Sequence, residues 1–221
     1  MAKLSKSLTL RLLSSFVLIP IIIGLILWGG WAFTILATIC IVFAFYEWIN
    51  LTNHMKLAPL MHIVLVVVGF LYLGGSLYET ATMHQRMDGA FWTIVFMLCI
   101  WASDSGAYLF GKTIGGPKMT PNISPNKTWA GYVGALLFPA LVLMIAIYIQ
   151  FNEILWGAFL VGAIVGICGQ SGDLLISYMK RKANLKDTGK IIPGHGGILD
   201  RIDALLMALP VFIAYVIYLT T

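Results

Sequence analysis

Charge is scarce in this chain. Only 10% of its 221 residues are Asp, Glu, Lys or Arg, while 60% are hydrophobic. A soluble domain is about 45–50% apolar and about 25% charged. Too little polar surface is present to cover a water-soluble globule, and the class that remains is a polytopic membrane protein. Cysteine is scarce as well. Cys40, Cys99 and Cys168 all lie inside apolar runs, without the paired spacing of a zinc site or a disulfide framework, so they read as small packing residues. No internal repeat, low-complexity tract or linker divides the chain, and a single transmembrane domain over residues 1–221 is expected. The marks of a cleavable leader are incomplete. Lys3, Lys6 and Arg11 precede the apolar run Leu12–Trp28, but a second run opens at Trp31 with no A-x-A site between them. The first run is therefore read as a retained span.

What the chain has in quantity is long apolar runs. A span needs about 17–25 mostly apolar residues to cross the hydrocarbon layer. Seven runs meet this length: Leu12–Trp28, Trp31–Ile49, Met61–Tyr78, Ala90–Phe110, Trp129–Gln150, Ile154–Met179 and Ala204–Thr220. The expected fold is an all-α bundle of about seven transmembrane helices. With the N-terminus in the cytoplasm and the sides alternating, every one of the 14 Lys and Arg residues except Arg86 falls on the cytoplasmic side, the asymmetry that the positive-inside rule favours. Trp28, Trp31, Trp48, Trp129 and Trp156 stand near span ends and are expected in the interfacial belt.

The little charge there is concentrates in one place. Ser177–Asp203 holds six Lys or Arg, three Asp, one His and four Gly in 27 residues. Acids also lie inside or at the ends of apolar runs: Glu47, Asp104 and Asp173. An ionised side chain in hydrocarbon costs at least about 2.5–3.5 kcal/mol, so such residues usually face a bundle interior or a wet cavity and mark function. Asp104 and Asp173 both stand about two turns from the cytoplasmic end of their spans. Glu47 lies close to an interface and is expected to be solvated or paired with a lysine. Asp200 and Asp203, at i and i+3, share one helical face. If Asp173 from the preceding span lies beside them, the three make an all-oxygen site suited to Mg²⁺, with room for a second cation. That ion takes one or two carboxylates and otherwise keeps water and phosphate oxygens.

Two polar loops share the cytoplasmic face. In the first, Ser124-Pro125-Asn126-Lys127-Thr128 offers hydroxyls and a lysine just before a helix start, where backbone N–H groups are free to meet phosphate. Ser124 or Thr128 serves equally well as an N-cap. In the second, Pro193-Gly194-His195-Gly196-Gly197 gives the backbone conformational freedom, and successive N–H groups there are expected to form an anion nest. Lys180, Arg181, Lys186 and Arg201 would surround bound phosphates with positive charge. Lys182 and Lys190 are accounted for as orientation determinants near anionic headgroups.

Ser177–Asp203 resembles the signature of the phosphatidate cytidylyltransferases. The family pattern reads S-x-φ-K-R, four free residues, K-D, a short spacer, then P-x-H-G-G-φ-x-D-R-φ-D. Ser177, Lys180, Arg181, Lys186, Asp187, Gly189, Ile192, Pro193, His195, Gly196, Gly197, Asp200, Arg201 and Asp203 match it. The segments around Asp173, Asp104–Tyr108 and Ser124–Thr128 also resemble family segments, so the likeness covers most of residues 101–203. Residues 1–90 match only as spans. One departure is Ala130, where the family often has Glu.

The resemblance implies transfer of CMP from CTP to phosphatidic acid, giving CDP-diacylglycerol and pyrophosphate. The charge asymmetry puts the site on the cytoplasmic face, and the size of the chain makes a bacterial inner membrane the expected location. Asp173, Asp200 and Asp203 are then expected to hold metal. Lys180, Arg181, Lys186 and Arg201 are expected on phosphates, with Asp187 beside them and His195 orienting a phosphate or the leaving pyrophosphate. Asp104, Ser124, Lys127, Thr128, Gly196 and Gly197 complete the pocket. The expected partners are CTP, phosphatidic acid and the bilayer, with a homodimer allowed and nucleic acid not expected. Two rival readings remain. One is a CTP-dependent lipid kinase of the polyprenol or phytol type, which needs a base for the hydroxyl proton. The other is an ion-coupled transporter using Asp104 and Asp173. The short outer loops argue against the transporter.

Overall fold

The computed structural model describes residues 6–86, 88–192 and 196–220. Among these residues seven helices run in chain order: α1 (Lys6–Trp28), α2 (Gly30–Asn53), α3 (Pro59–His84), α4 (Gly89–Thr113), α5 (Trp129–Phe151), α6 (Trp156–Lys182) and α7 (Leu199–Thr220). In lipid every backbone polar group must be satisfied internally, and a helix does this within one segment. Six of the helices, α2 to α7, are long and apolar enough to cross a membrane; in α1 the corresponding apolar stretch is Phe16–Trp28. Large apolar side chains such as Phe16, Val42, Leu71, Ile149 and Leu160 are exposed along them, as a lipid-facing surface requires.

The helices overrun the apolar windows. α3 continues past Tyr78 through Glu79 to His84, and α4 runs on to Thr113. Once a helix has formed, its backbone bonds do not need apolar side chains to continue. The expected first loop also holds a small antiparallel hairpin, β1 (Lys118–Thr120) with β2 (Ser124–Thr128), paired Lys118 to Thr128 and Thr120 to Ser124. It delivers Lys127 and Thr128 directly to the start of α5.

The chain divides into two compact units. One comprises Met1–Ala81 and Met179–Ile202; the other comprises Thr82–Tyr178 and Asp203–Thr221. In the first unit the Trp48 indole N–H donates to the Leu65 carbonyl at 2.9 Å, and Trp48 is only 3% exposed. It ties α2 to α3. That corrects its expected place in the interfacial belt, whereas Trp28, Trp31, Trp129 and Trp156 are exposed.

The second unit has an apolar core that includes Trp92, Phe96, Leu143, Ile147, Val165 and Phe212. Its helices approach closely. A Cβ at Gly106 would strike the Gly134 carbonyl oxygen, and one at Gly134 would strike that of Gly106, the small-residue contact by which membrane helices pack. Pro139 inside α5 has no N–H to offer the Ala135 carbonyl four residues back. Ser103 of α4 donates its hydroxyl to that carbonyl at 2.9 Å. One turn of α4 therefore repairs the α5 ladder and fixes the rotation of α4, which carries Asp104.

Candidate active site

In the second unit, Asp104, Tyr108, Asn126, Lys127, Gln170 and Asp173 are among the residues that line one cavity of about 200 Å³. α4 contributes Asp104 and Tyr108, the end of the hairpin contributes Lys127, and α6 contributes Gln170 and Asp173. The Lys127 ammonium lies 2.6 Å from Asp173 Oδ2 and donates to Gln170 Oε1 at 2.9 Å. Ser177, one turn on, donates to Asp173 Oδ1 at 3.2 Å. A carboxylate and an ammonium thus hold each other at the rim of a largely apolar hollow. Thr128 proves to be the α5 N-cap, its Oγ1 accepting from Gly131 N at 3.1 Å. Ser124 begins β2 and is not among the residues lining the cavity.

The signature segment is built differently. Asp200 is the centre of its network. Its Oδ1 lies 2.6 Å from the Lys180 ammonium, and its Oδ2 accepts from Thr188 N at 2.8 Å, Thr188 Oγ1 at 3.0 Å and Gly197 N at 3.4 Å. Glu47, reaching in from α2, completes it. Glu47 is 1% exposed. It accepts from Thr188 Oγ1 at 2.8 Å, Ile198 N at 3.1 Å and Leu199 N at 2.9 Å. The last two are orphan donors of the α7 N-terminus, where a carboxylate answers both the unpaired N–H groups and the helix dipole. Thr188 has one hydroxyl proton to give to one of the two acids at a time.

This arrangement explains the glycines. A Cβ at Gly197 would run into Thr188 Oγ1 and the Glu47 carboxylate, and one at Gly189 would run into Glu47 Oε1. Two N–H groups of the expected anion nest have partners in the segment itself. The Gly196 N–H donates to Ile192 O at 3.2 Å, reciprocated by Ile192 N to Gly196 O at 3.0 Å, and the Gly197 N–H points to Asp200. Both are engaged within the loop. The expectation that Glu47 is solvated or lysine-paired is corrected. Its partners lie 141 to 152 residues away, and only the oddity of an acid in an apolar run signalled it.

Among the described residues no group of three or more His, Cys, Asp or Glu side chains is placed to hold a metal ion. Of the expected triad, Asp200 belongs to the first unit and Asp173 and Asp203 to the second. Each has partners of its own. Asp200 already accepts from Lys180, Thr188 and Gly197, Asp173 holds Lys127 and Ser177, and Asp203 Oδ1 accepts from Ala204 N at 2.8 Å. Asp104 and Asp173 line one cavity, and one or two carboxylates are what Mg²⁺ takes beside water and phosphate oxygens. Arg181, Lys186, Asp187 and Arg201 are exposed. Pro193, Gly194 and His195 lie outside the described residues, so the expected role of His195 does too.

The model of the Cytidylyltransferase family matches residues 54–219. The chain is 36% identical over 220 residues to a phosphatidate cytidylyltransferase of Rickettsia felis, covering 96% of this chain and 93% of that protein. It is 34% identical over 227 residues to the Rickettsia typhi protein of the same name, covering 99% and 96%. Over 152 residues it is 43% identical to the phosphatidate cytidylyltransferase of Staphylococcus saprophyticus, covering 68% of this chain and 55% of that protein.

Proposed function

The chain belongs to the cytidylyltransferase family, and from that premise we infer that it transfers CMP from CTP to phosphatidic acid, forming CDP-diacylglycerol and pyrophosphate in phospholipid synthesis. The observation that carries this is likeness over nearly the whole chain to proteins named for that reaction, 36% identical over 96% of its length in the Rickettsia felis case.

The chemistry sets what the residues must do. An oxygen of the lipid phosphate attacks the α-phosphorus of CTP, and the bond from that phosphorus to the bridging oxygen breaks as pyrophosphate leaves. The nucleophile is already ionised at neutral pH, so no base is required. The obstacle is repulsion between two polyanions, and positioning with charge neutralisation removes it. Lys127 is suited to this, since it stands at a cavity wall on a carboxylate that a phosphate can replace. Lys186, Arg181 and Arg201 are exposed on the signature segment, where phosphates can reach them. Asp200 holds Lys180 in place and acts as a positioning residue. Mg²⁺ is part of this proposal, with Asp104 and Asp173 the residues that would hold it. When bound, it would neutralise phosphate charge.

The placement is proposed on the same footing: a bacterial inner membrane with the site at its cytoplasmic face, supported by the one-sided distribution of Lys and Arg. A homodimer belongs to the reading through the family resemblance. The test is turnover by purified protein given phosphatidic acid with CTP labelled at the α- or the γ-phosphate. Label from the α-phosphate in the lipid product is the expected result. Label from the γ-phosphate would mean a lipid kinase instead.

A further inference from the structure

A second cavity lies wholly within the first unit, and the catalytic reading above leaves its far wall without a role. It has a volume of about 490 Å³, inside the range of about 300–1,000 Å³ typical of small-molecule sites. One wall is the 185–191 segment, with Lys186, Asp187 and Lys190. The other is the end of α2 and the residue that follows it, where Glu47 is joined by Tyr46, Asn50 and His54. Tyr46, Asn50 and His54 stand four residues apart and so share one helical face.

The wall is held rigid. Glu47, next to Tyr46, is bonded to Thr188 and to the α7 start, and Trp48 is bonded to α3. Its polar groups are also partly oriented. His54 Nδ1 lies 2.8 Å from the Asn50 carbonyl oxygen. A carbonyl can only accept, so Nδ1 carries the proton and Nε2 is left as the second polar atom of the ring. The Asn50 side chain offers both an amide donor and a carbonyl acceptor, and Tyr46 offers a ring and a hydroxyl, with 66% of the residue exposed.

We propose that this cavity takes the nucleoside end of CTP, with Tyr46, Asn50 and His54 reading base and ribose while Lys186 and Lys190 hold the phosphates. The division of chemistry carries the assignment. One wall is net cationic, with Lys186 and Lys190 against Asp187; the other presents Tyr46, Asn50 and His54, while its one acid, Glu47, is taken up by Thr188 and the α7 start. A nucleotide has that same division, phosphates at one end and a planar donor-and-acceptor edge at the other. Phosphatidate has a phosphate but no such edge. The proposal rests on the cytidylyl-transfer reading and adds to it the residues that select the nucleotide.

The experiment uses the full-length protein in detergent with the variants Tyr46→Ala and Asn50→Ala, measured separately. Tyr46 is largely exposed, so its variant tests the site without burying a defect. Binding of labelled CTP is measured by equilibrium dialysis without lipid, and KM is measured for CTP and for phosphatidate. The expected result is CTP affinity weakened roughly tenfold in each variant, the scale of one lost hydrogen bond or stacking contact, with KM for phosphatidate unchanged and the preference for CTP over UTP reduced. A rise in KM for phosphatidate with CTP binding unchanged would assign the wall to the lipid headgroup and overturn the proposal. Unchanged CTP binding in both variants would overturn it too. If the wild-type protein binds CTP but turns over no phosphatidate, the transfer reading fails. The dialysis still decides the nucleotide site.

Discussion

Two ion pairs of the same length sit in the two units of this protein, and their surroundings give them different work. Lys127–Asp173 and Lys180–Asp200 both measure 2.6 Å. The side chains of the first pair are 19% and 37% exposed; those of the second are 12% and 6% exposed. Asp173 has one further neighbour, Ser177, and opens on a cavity. Asp200 is enclosed by Thr188 and Gly197 and adjoins the buried Glu47 network. A pair at a cavity rim can exchange one partner for a substrate phosphate or a cation. A pair whose remaining lone pairs are all answered by fixed donors cannot do so without dismantling the loop around it. The length of a salt bridge therefore does not say whether it serves chemistry or architecture, and the neighbours do.

The largest effect expected from this contrast is at Asp200. Asp200→Asn leaves the Lys180 ammonium without its charge partner in a mostly buried position, a change that typically costs about 3–5 kcal/mol. The unfolding midpoint in detergent should fall sharply, and turnover should fall with the folded fraction. An Asp200→Asn protein of normal stability but no activity would return Asp200 to the reacting centre and break the comparison. Next is Asp173→Asn. Turnover should drop on the order of 10²–10³-fold, as when one preorganised charge-stabilising group is removed, with the unfolding midpoint close to that of the parent. A matching loss of stability would place Asp173 in the same class as Asp200.

Glu47 tests the same point in the buried network. Glu47→Ala strips the acceptor from Leu199 N, Ile198 N and one use of the Thr188 hydroxyl, at about 1–3 kcal/mol for each buried donor left unanswered. Stability and turnover should fall together, and Glu47→Asp should recover neither fully, because a shorter arm cannot reach both α7 and Thr188. A fully stable, inactive Glu47→Ala would show that the carboxylate meets substrate.

Glu47 also marks the limit of what was legible beforehand. Hydropathy placed the spans because a lipid-crossing helix must be apolar along its whole length, and the signature residues were legible because their types and spacing are unusual. The same reading put Asp173, Asp200 and Asp203 on one ion, since three acids at compatible helical positions look alike on paper. The donors that the fold brings to each were not part of that reading. Those donors are a loop threonine, a hairpin lysine and the backbone N–H of Ala204, none of them visible as a pattern. The hairpin itself was read as loop because its strands are only 3 and 5 residues long.

The smallest predicted effect separates two hydroxyls that the sequence treated alike. Ser124 and Thr128 flank Lys127 in one short segment. Thr128 is 5% exposed and caps α5 through Gly131 N, while Ser124 starts the second strand. Thr128→Ala should cost about 1 kcal/mol of stability, the usual worth of an N-cap. It should also raise KM for CTP modestly, because the cap fixes the end of the strand that carries Lys127. Ser124→Ala should leave both the unfolding midpoint and turnover within about twofold, since substitutions away from caps and cores are usually near neutral. If Ser124→Ala instead removed activity while Thr128→Ala did not, the substrate would have to approach Lys127 from the hairpin side. The exposed pair would then be exposed for a different reason than the cavity it adjoins.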